Sequence, residues 1–177
     1  MVKTRECSAS TLDYLLIELV RYYRTRPDGP ALEDALESIG LRVGAAAAER
    51  CVRGRAPPPT QLELMKLVCK ELWSDLFGKV VDNLRTNHRG TYVLRDVSFR
   101  WLARLHQNAV PAAPGDPRPP QLPKAELARD WLVLPCAVVR GALGALGLEA
   151  TVSADATQLP QIDFTVVVGP RPGDPEF

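Results

Sequence analysis

The 177-residue sequence is poor in the side chains that most chemistry needs. It has two histidines, His88 and His106. A hydrolytic triad would need one of them beside a serine or cysteine with an orienting acid, and no Gly-x-Ser-x-Gly elbow is present. The four cysteines, Cys7, Cys51, Cys69 and Cys136, form no Cys-x-x-Cys pair, so neither a redox dithiol nor a zinc site is written in their spacing. No His/Cys/acid cluster has metal-ligand spacing. Aromatic residues make up 6% of the chain, too few for a base-stacking platform. The net charge of +1 gives no bulk attraction to nucleic acid or acidic lipid. Met1–Glu6 lacks the apolar core of a signal peptide and the glycine that myristoylation needs. Trp131–Leu148 is the one segment that tempts a membrane-spanning reading. It is short for a span and holds Pro135 and Arg140, so a buried core helix is expected. These absences predict no catalytic residues, no cofactor, no metal and no nucleic acid. Unpaired cysteines in apolar patterns predict a reducing, cytoplasmic setting.

What is present is an ordinary globular composition, 46% hydrophobic and 24% charged. It predicts one domain over residues 10–168, flanked by tails at residues 1–9 and 169–177. Ser10 is placed to cap a helix over Thr11–Arg24, with Pro27-Asp28-Gly29-Pro30 stopping it. A second helix is expected over Ala31–Arg53, with a break near Gly40. Thr60-Gln61-Leu62-Glu63 is a capping box that opens a third, Gln61–Phe77. A fourth is expected over Lys124–Leu146, kinked at Pro135 and closed by Gly147. In it Leu127, Trp131 and Val138 are apolar positions, and Ala137, Gly141 and Ala145 form a small-residue seam. The bulk-free run Gly44–Ala48 would also let another backbone come close. Ala109–Pro123 is rich in proline and alanine and reads as a flexible loop. Strands are expected near Val80–Asn87, Thr91–Val97, Leu148–Asp155 and Gln161–Val168. This grouping predicts an α+β fold, with helices on one face of a twisted four-stranded antiparallel sheet. Trp73, Phe77, Trp131, Val138 and Leu143 should be buried, with Cys69 and Cys136 in the packing.

Two surfaces stand out. In the first helix the polar residues Asp13, Glu18, Arg21 and Arg24 leave only a narrow sector, so the helix needs apolar cover on two sides. Leu12, Leu15, Leu16 and Leu19, with Leu32, Leu36 and Ile39 of the second helix, are the candidate partner face. The hairpin around Asn87-His88-Arg89-Gly90 carries Arg85, Arg89 and Arg95, with Arg100 and Arg104 beyond it. A solvated sheet face accounts for them most simply; the sharper reading is a docking surface for an acidic partner or membrane, centred on Arg85, Arg89 and Arg95.

Four segments in order resemble the small-subunit family of TRAPP, the transport protein particle that activates Rab GTPases. They are Leu36–Gly44, Leu64–Trp73, the hairpin from Asp82 to Asp96, and Cys136–Gly147 with its Arg140-Gly141-Ala142-Leu143. Asp82-Asn83-Leu84-Arg85-Thr86-Asn87-His88 resembles the sixth-subunit branch in particular. The resemblance implies an α+β domain that heterodimerises with the third small subunit, chiefly through first helices. It implies an architectural, non-catalytic place in a Rab exchange factor and vesicle tether at Golgi and ER–Golgi membranes. Its partners would be other TRAPP small subunits, larger TRAPP subunits and, indirectly, a Rab GTPase, and the chain would be peripheral to the membrane. Ala45–Ala48 stand where the family carries bulkier apolar residues, which implies a shallower partner surface. The third subunit carries a fatty-acylated cysteine and an apolar channel, and nothing transfers that acylation to Cys51 or Cys69. The alternative is a stand-alone acyl- or lipid-binding module of the same fold.

Overall fold

The computed structural model describes residues 8–26, 28–56, 58–87, 89–102 and 124–169, without the side chains of Ala9 and residues 124–127. Cys7, His88, Arg104, His106, the loop Ala109–Pro123, the Leu127 side chain and most of both tails lie outside them. The elements in chain order are α1 (Ala9–Arg24), α2 (Leu32–Cys51), α3 (Gln61–Leu67), a π-helical turn (Val68–Leu72), α4 (Trp73–Phe77), β1 (Asn83–Thr86), β2 (Thr91–Asp96), a 3-10 turn (Arg100–Leu102), α5 (Lys124–Ala145), β3 (Ala150–Asp155) and β4 (Ile162–Val168). The four strands form one sheet in the order β1-β2-β4-β3, every pair antiparallel. The α+β architecture expected from the sequence is the one observed.

Local chemistry sets most of the boundaries. Thr60 Oγ1 accepts the Glu63 N–H at 3.2 Å and donates to Glu63 Oε2 at 3.1 Å, which caps α3. Gly78 ends α4 in the left-handed region, φ +77, its N–H bonded to Ser74 O. The Arg55 guanidinium closes α2 by donating through Nε and Nη2 to Cys51 O, at 3.0 and 2.6 Å. Ser10 is not the cap of α1. The helix begins at Ala9 after an extended Ser8, and Ser10 lies in its first turn, accepting from Ser8 Oγ.

The expected break at Gly40 is absent, since α2 is one unbroken helix. Gly40 and Gly44 serve contact rather than interruption. A Cβ on Gly40 would lie 2.5 Å from Ala137 Cβ, and one on Gly44 only 1.9 Å from Val138 O. From the other side, a Cβ on Gly141 would lie 2.2 Å from Leu41 O. The backbones of α2 and α5 therefore meet directly, and the gain in contact outweighs the helix penalty of glycine, roughly 1 kcal/mol each. Ala137 and Gly141 take part in this seam as expected, whereas Ala145 is exposed. α5 continues as helix through Pro135.

The helices cover one face of the sheet. Ile162, Phe164, Val166 and Val168 of β4, with Tyr92 and Leu94 of β2, alternate into the core. An aromatic cluster of Trp73, Phe77, Phe99, Trp101 and Phe164 joins α4 to the sheet; Trp73 and Phe164 lie edge to face at 5.1 Å. Trp73, Phe77, Trp131, Val138 and Leu143 are all buried, Cys69 is buried and Cys136 half-buried, and both thiols are free.

β1 is shorter than expected because the Val81 N–H bonds away from the sheet. In the π turn the Trp73 N–H reaches back to Val68 O. That releases Cys69 O, the acceptor an α-helix would have used, for the Val81 N–H at 3.0 Å.

Candidate functional site

Asp96 shares its side of β2 with Tyr92 and Leu94 and is fully buried. It accepts from Trp73 Nε1 at 3.0 Å, Lys79 Nζ at 2.9 Å and the Ser98 N–H at 3.0 Å. Lys79 also donates to Asp82 Oδ2 at 2.5 Å, and the same oxygen accepts the Val97 N–H at 2.8 Å. The bonds from Lys79 and from the Val97 amide hold the Asp82 carboxyl below its ordinary range. Trp73, Lys79 and the Val97 and Ser98 amides all donate to these two carboxylates, so the cluster holds α4 to the hairpin. At the turn, Asn87 Oδ1 accepts the N–H of Arg89 at 2.8 Å and of Thr91 at 3.0 Å. Gly90 has φ +82, and a Cβ there would lie 2.7 Å from Val168 O. Asp82 and Asn87, both within the most distinctive sequence segment, thus shape the hairpin.

The arginines of this hairpin are not equivalent. Arg95 is tied to Asp163 by two bonds, Nε to Oδ1 at 2.8 Å and Nη2 to Oδ2 at 2.6 Å, which lowers the Asp163 carboxyl. Arg85 and Arg89 are exposed. The candidate docking surface is therefore reduced to those two, with Arg95 committed to the sheet.

The apolar candidates also divide. Leu16 and Leu36 are 5% and 0% exposed, inside the chain's own core, so they are not available to a partner. Leu19, Leu32 and Ile39 are half-buried against that core. Leu12 and Leu15 are exposed, Leu15 at 59%. Tyr14 and Tyr22, not among the sequence candidates, are 68% and 50% exposed. Leu12, Leu15, Leu19 and Tyr22 recur at i, i+3, i+7 and i+10, which puts them on one helical stripe. Leu16, Val20 and the half-buried Tyr23 lie beside that stripe and pack inward. α1 packs on α2, and an ion pair from Arg24 to Asp130 ties it to α5. On α2, Val43 is 42% exposed and Ala46 is exposed, while Ala47 and Ala48 are buried in the chain's own core.

The cysteine surroundings bear on acyl chemistry. Burial pushes the Cys69 and Cys136 thiols up to about 12, which leaves almost no thiolate at neutral pH. Cys51 is also raised, by burial and then by Asp75 and Glu71. The groove nearby, about 370 Å³, is lined by Arg55, Ala56, Pro58, Lys66, Leu67 and Lys70 among others. Among the described residues no group of three or more His, Cys, Asp or Glu is placed to hold a metal. No helix among them is long and apolar enough to cross a membrane.

Residues 12–168 match the transport protein particle (TRAPP) component family. Over 133 residues the chain is 41% identical to trafficking protein particle complex subunit 6A of Homo sapiens and 36% identical to subunit 6B of Mus musculus. Each alignment covers 75% of this chain and 76% of the relative. Its fold is similar to that of a solved trafficking protein particle complex subunit 3 from Naegleria fowleri, covalently bound to palmitic acid. That match has a TM-score of 0.64 at 13% identity and covers 92% of this chain and 98% of the other.

Proposed function

The chain belongs to the TRAPP component family, which serves vesicle transport and tethering, and from that membership we propose that it is a non-catalytic architectural subunit of a TRAPP Rab exchange and tethering complex at Golgi and ER–Golgi membranes. It heterodimerises with the third small subunit through α1 and the adjoining part of α2. The observation that carries this reading is the stripe Leu12, Leu15 and Tyr22, exposed among the described residues, with half-buried Leu19 between them. Covering an apolar side chain of this size is worth about 1.5–3 kcal/mol, so the stripe can offset much of the entropy of association. Larger TRAPP subunits and a Rab GTPase are reached through the assembly. Arg85 and Arg89 are the remaining charged docking candidates.

The test is co-expression with the third small subunit and affinity capture. Leu12→Asp with Leu15→Asp should abolish capture while the circular dichroism of the chain stays unchanged; undiminished capture would overturn this placement. The architectural role is tested by nucleotide release from a Golgi Rab. The isolated chain should not accelerate release, and strong stimulation would show a catalytic subunit instead. A stand-alone acyl-binding module finds less support, because glycine contacts close α2 onto α5.

A further inference from the structure

We propose that the outer edge of β3 is a second docking site, which takes an extended segment of a partner protein as a fifth strand, and that this segment carries a basic residue at each end of an alternating apolar stretch. The site is separate from the α1 face and stands whether or not that face binds the third subunit.

The two edges of the sheet differ. β1 spans only Asn83–Thr86 and is cut short where the Val81 N–H bonds away from the sheet. Short length and irregularity are among the usual protections of an edge. β3 spans Ala150–Asp155 in regular register along β4, with no proline, lysine or bulge. The Gly169 N–H bonds to Glu149 O. By the alternation of an antiparallel ladder, Thr151, Ser153 and Asp155 then bond to β4, while Ala150, Val152 and Ala154 turn their N–H and C=O groups outward. Among the described residues, none of these outward groups meets a partner. The side chains of the same three residues lie on the helix-covered side and are only half-buried. They form a low apolar shelf that the inward side chains of an added strand would cover.

Charge selects the occupant. Glu149 and Asp155 share the open face and are both exposed. Asp155 accepts from the Thr157 N–H at 2.9 Å and from Thr157 Oγ1 at 3.2 Å, and keeps its charge toward solvent. A second copy paired antiparallel along all three outward residues would set Ala150 against Ala154 and Glu149 against Asp155, twice. Opposed like charges disfavour that pairing. A strand with lysine or arginine opposite both acids, and apolar residues opposite Ala150, Val152 and Ala154, turns the repulsion into attraction while main-chain bonds supply the affinity.

The test uses the full chain and a capped peptide, acetyl-Lys-Val-Thr-Val-Thr-Val-Lys-amide, with amide exchange followed by NMR. In the free chain the amides of Ala150, Val152 and Ala154 should exchange fast and those of Thr151, Ser153 and Asp155 slowly. The peptide should slow the first set. Glu149→Lys with Asp155→Lys should weaken binding by roughly tenfold or more, and a peptide with glutamate ends should then bind the charge-reversed chain better. Val152→Pro removes one outward donor without touching the bonds to β4 and should abolish binding. No protection at roughly 1 mM peptide, binding indifferent to both charge reversal and proline, or protection of the same amides by self-association would each overturn the proposal.

Discussion

Where α2 meets α5, the side chains are glycine and alanine and nothing separates the backbones; on the outer side of α1, Tyr14, Leu15 and Tyr22 stand in solvent. Small residues are buried in one region and large apolar ones are uncovered in the other, the reverse of what bulk alone would assign. The α2–α5 contact is complete within the chain, since each glycine is matched by an atom of the facing helix. The α1 stripe has no such match among the described residues, where Leu15 and Tyr22 stay exposed. Under the proposed docking through α1, hydrophobicity reports the assembly's core as well as the chain's own.

The hardest test of this contrast is Gly44→Val. The added carbons would meet the Val138 carbonyl, with the first already at 1.9 Å. The cost should be about 3 kcal/mol or more, read as a lower urea midpoint by tryptophan fluorescence. A loss under about 1 kcal/mol would mean that the seam can open. Next comes Leu36→Ala, a fully buried site on the same helix, with about 2–5 kcal/mol lost. Acid should act more weakly, through Asp82 and Asp163. Both carboxyls are lowered in the folded chain, so their contribution is complete above about pH 4 and fades as pH falls through the folded values. The urea midpoint should decline below about pH 4, and less so in an Asp163→Asn chain. The smallest effect belongs to Leu15→Ala, within about 0.5 kcal/mol for the isolated chain, although the same change should weaken capture by the third subunit. A large loss of intrinsic stability there would place Leu15 in the core and break the comparison.

The architecture was legible because its signals are local and repeated. The period-two apolar positions of β2 and β4, the Thr60 cap and the stops at Gly78 and Gly147 were readable one segment at a time. What misled was context. Gly40 reads as a breaker until a facing helix is known to need the space. Leu15 and Leu16 are one residue apart and equally apolar, and only the tertiary contacts decide which turns inward. Arg95 looked as free as Arg85 because Asp163 lies far away in sequence. One missed residue carried a usable sign: Asp96 falls in phase with Tyr92 and Leu94, and an acid on the buried side of a strand implies waiting donors.

The π turn at Val68–Leu72 has a consequence for how this chain tolerates insertion and deletion. A π turn holds one residue more than the helix repeat requires, so the apolar phase before it and the phase after it are offset by one position. Removing Lys70 would yield a more regular helix by every local measure. It would also return Cys69 O to its own helix, deprive the Val81 N–H of its acceptor, and rotate Trp73 away from Asp96 and Phe77 away from the aromatic cluster. The irregularity acts as a gear between two meshing surfaces, and a sequence idealised for helix content would slip it by one tooth.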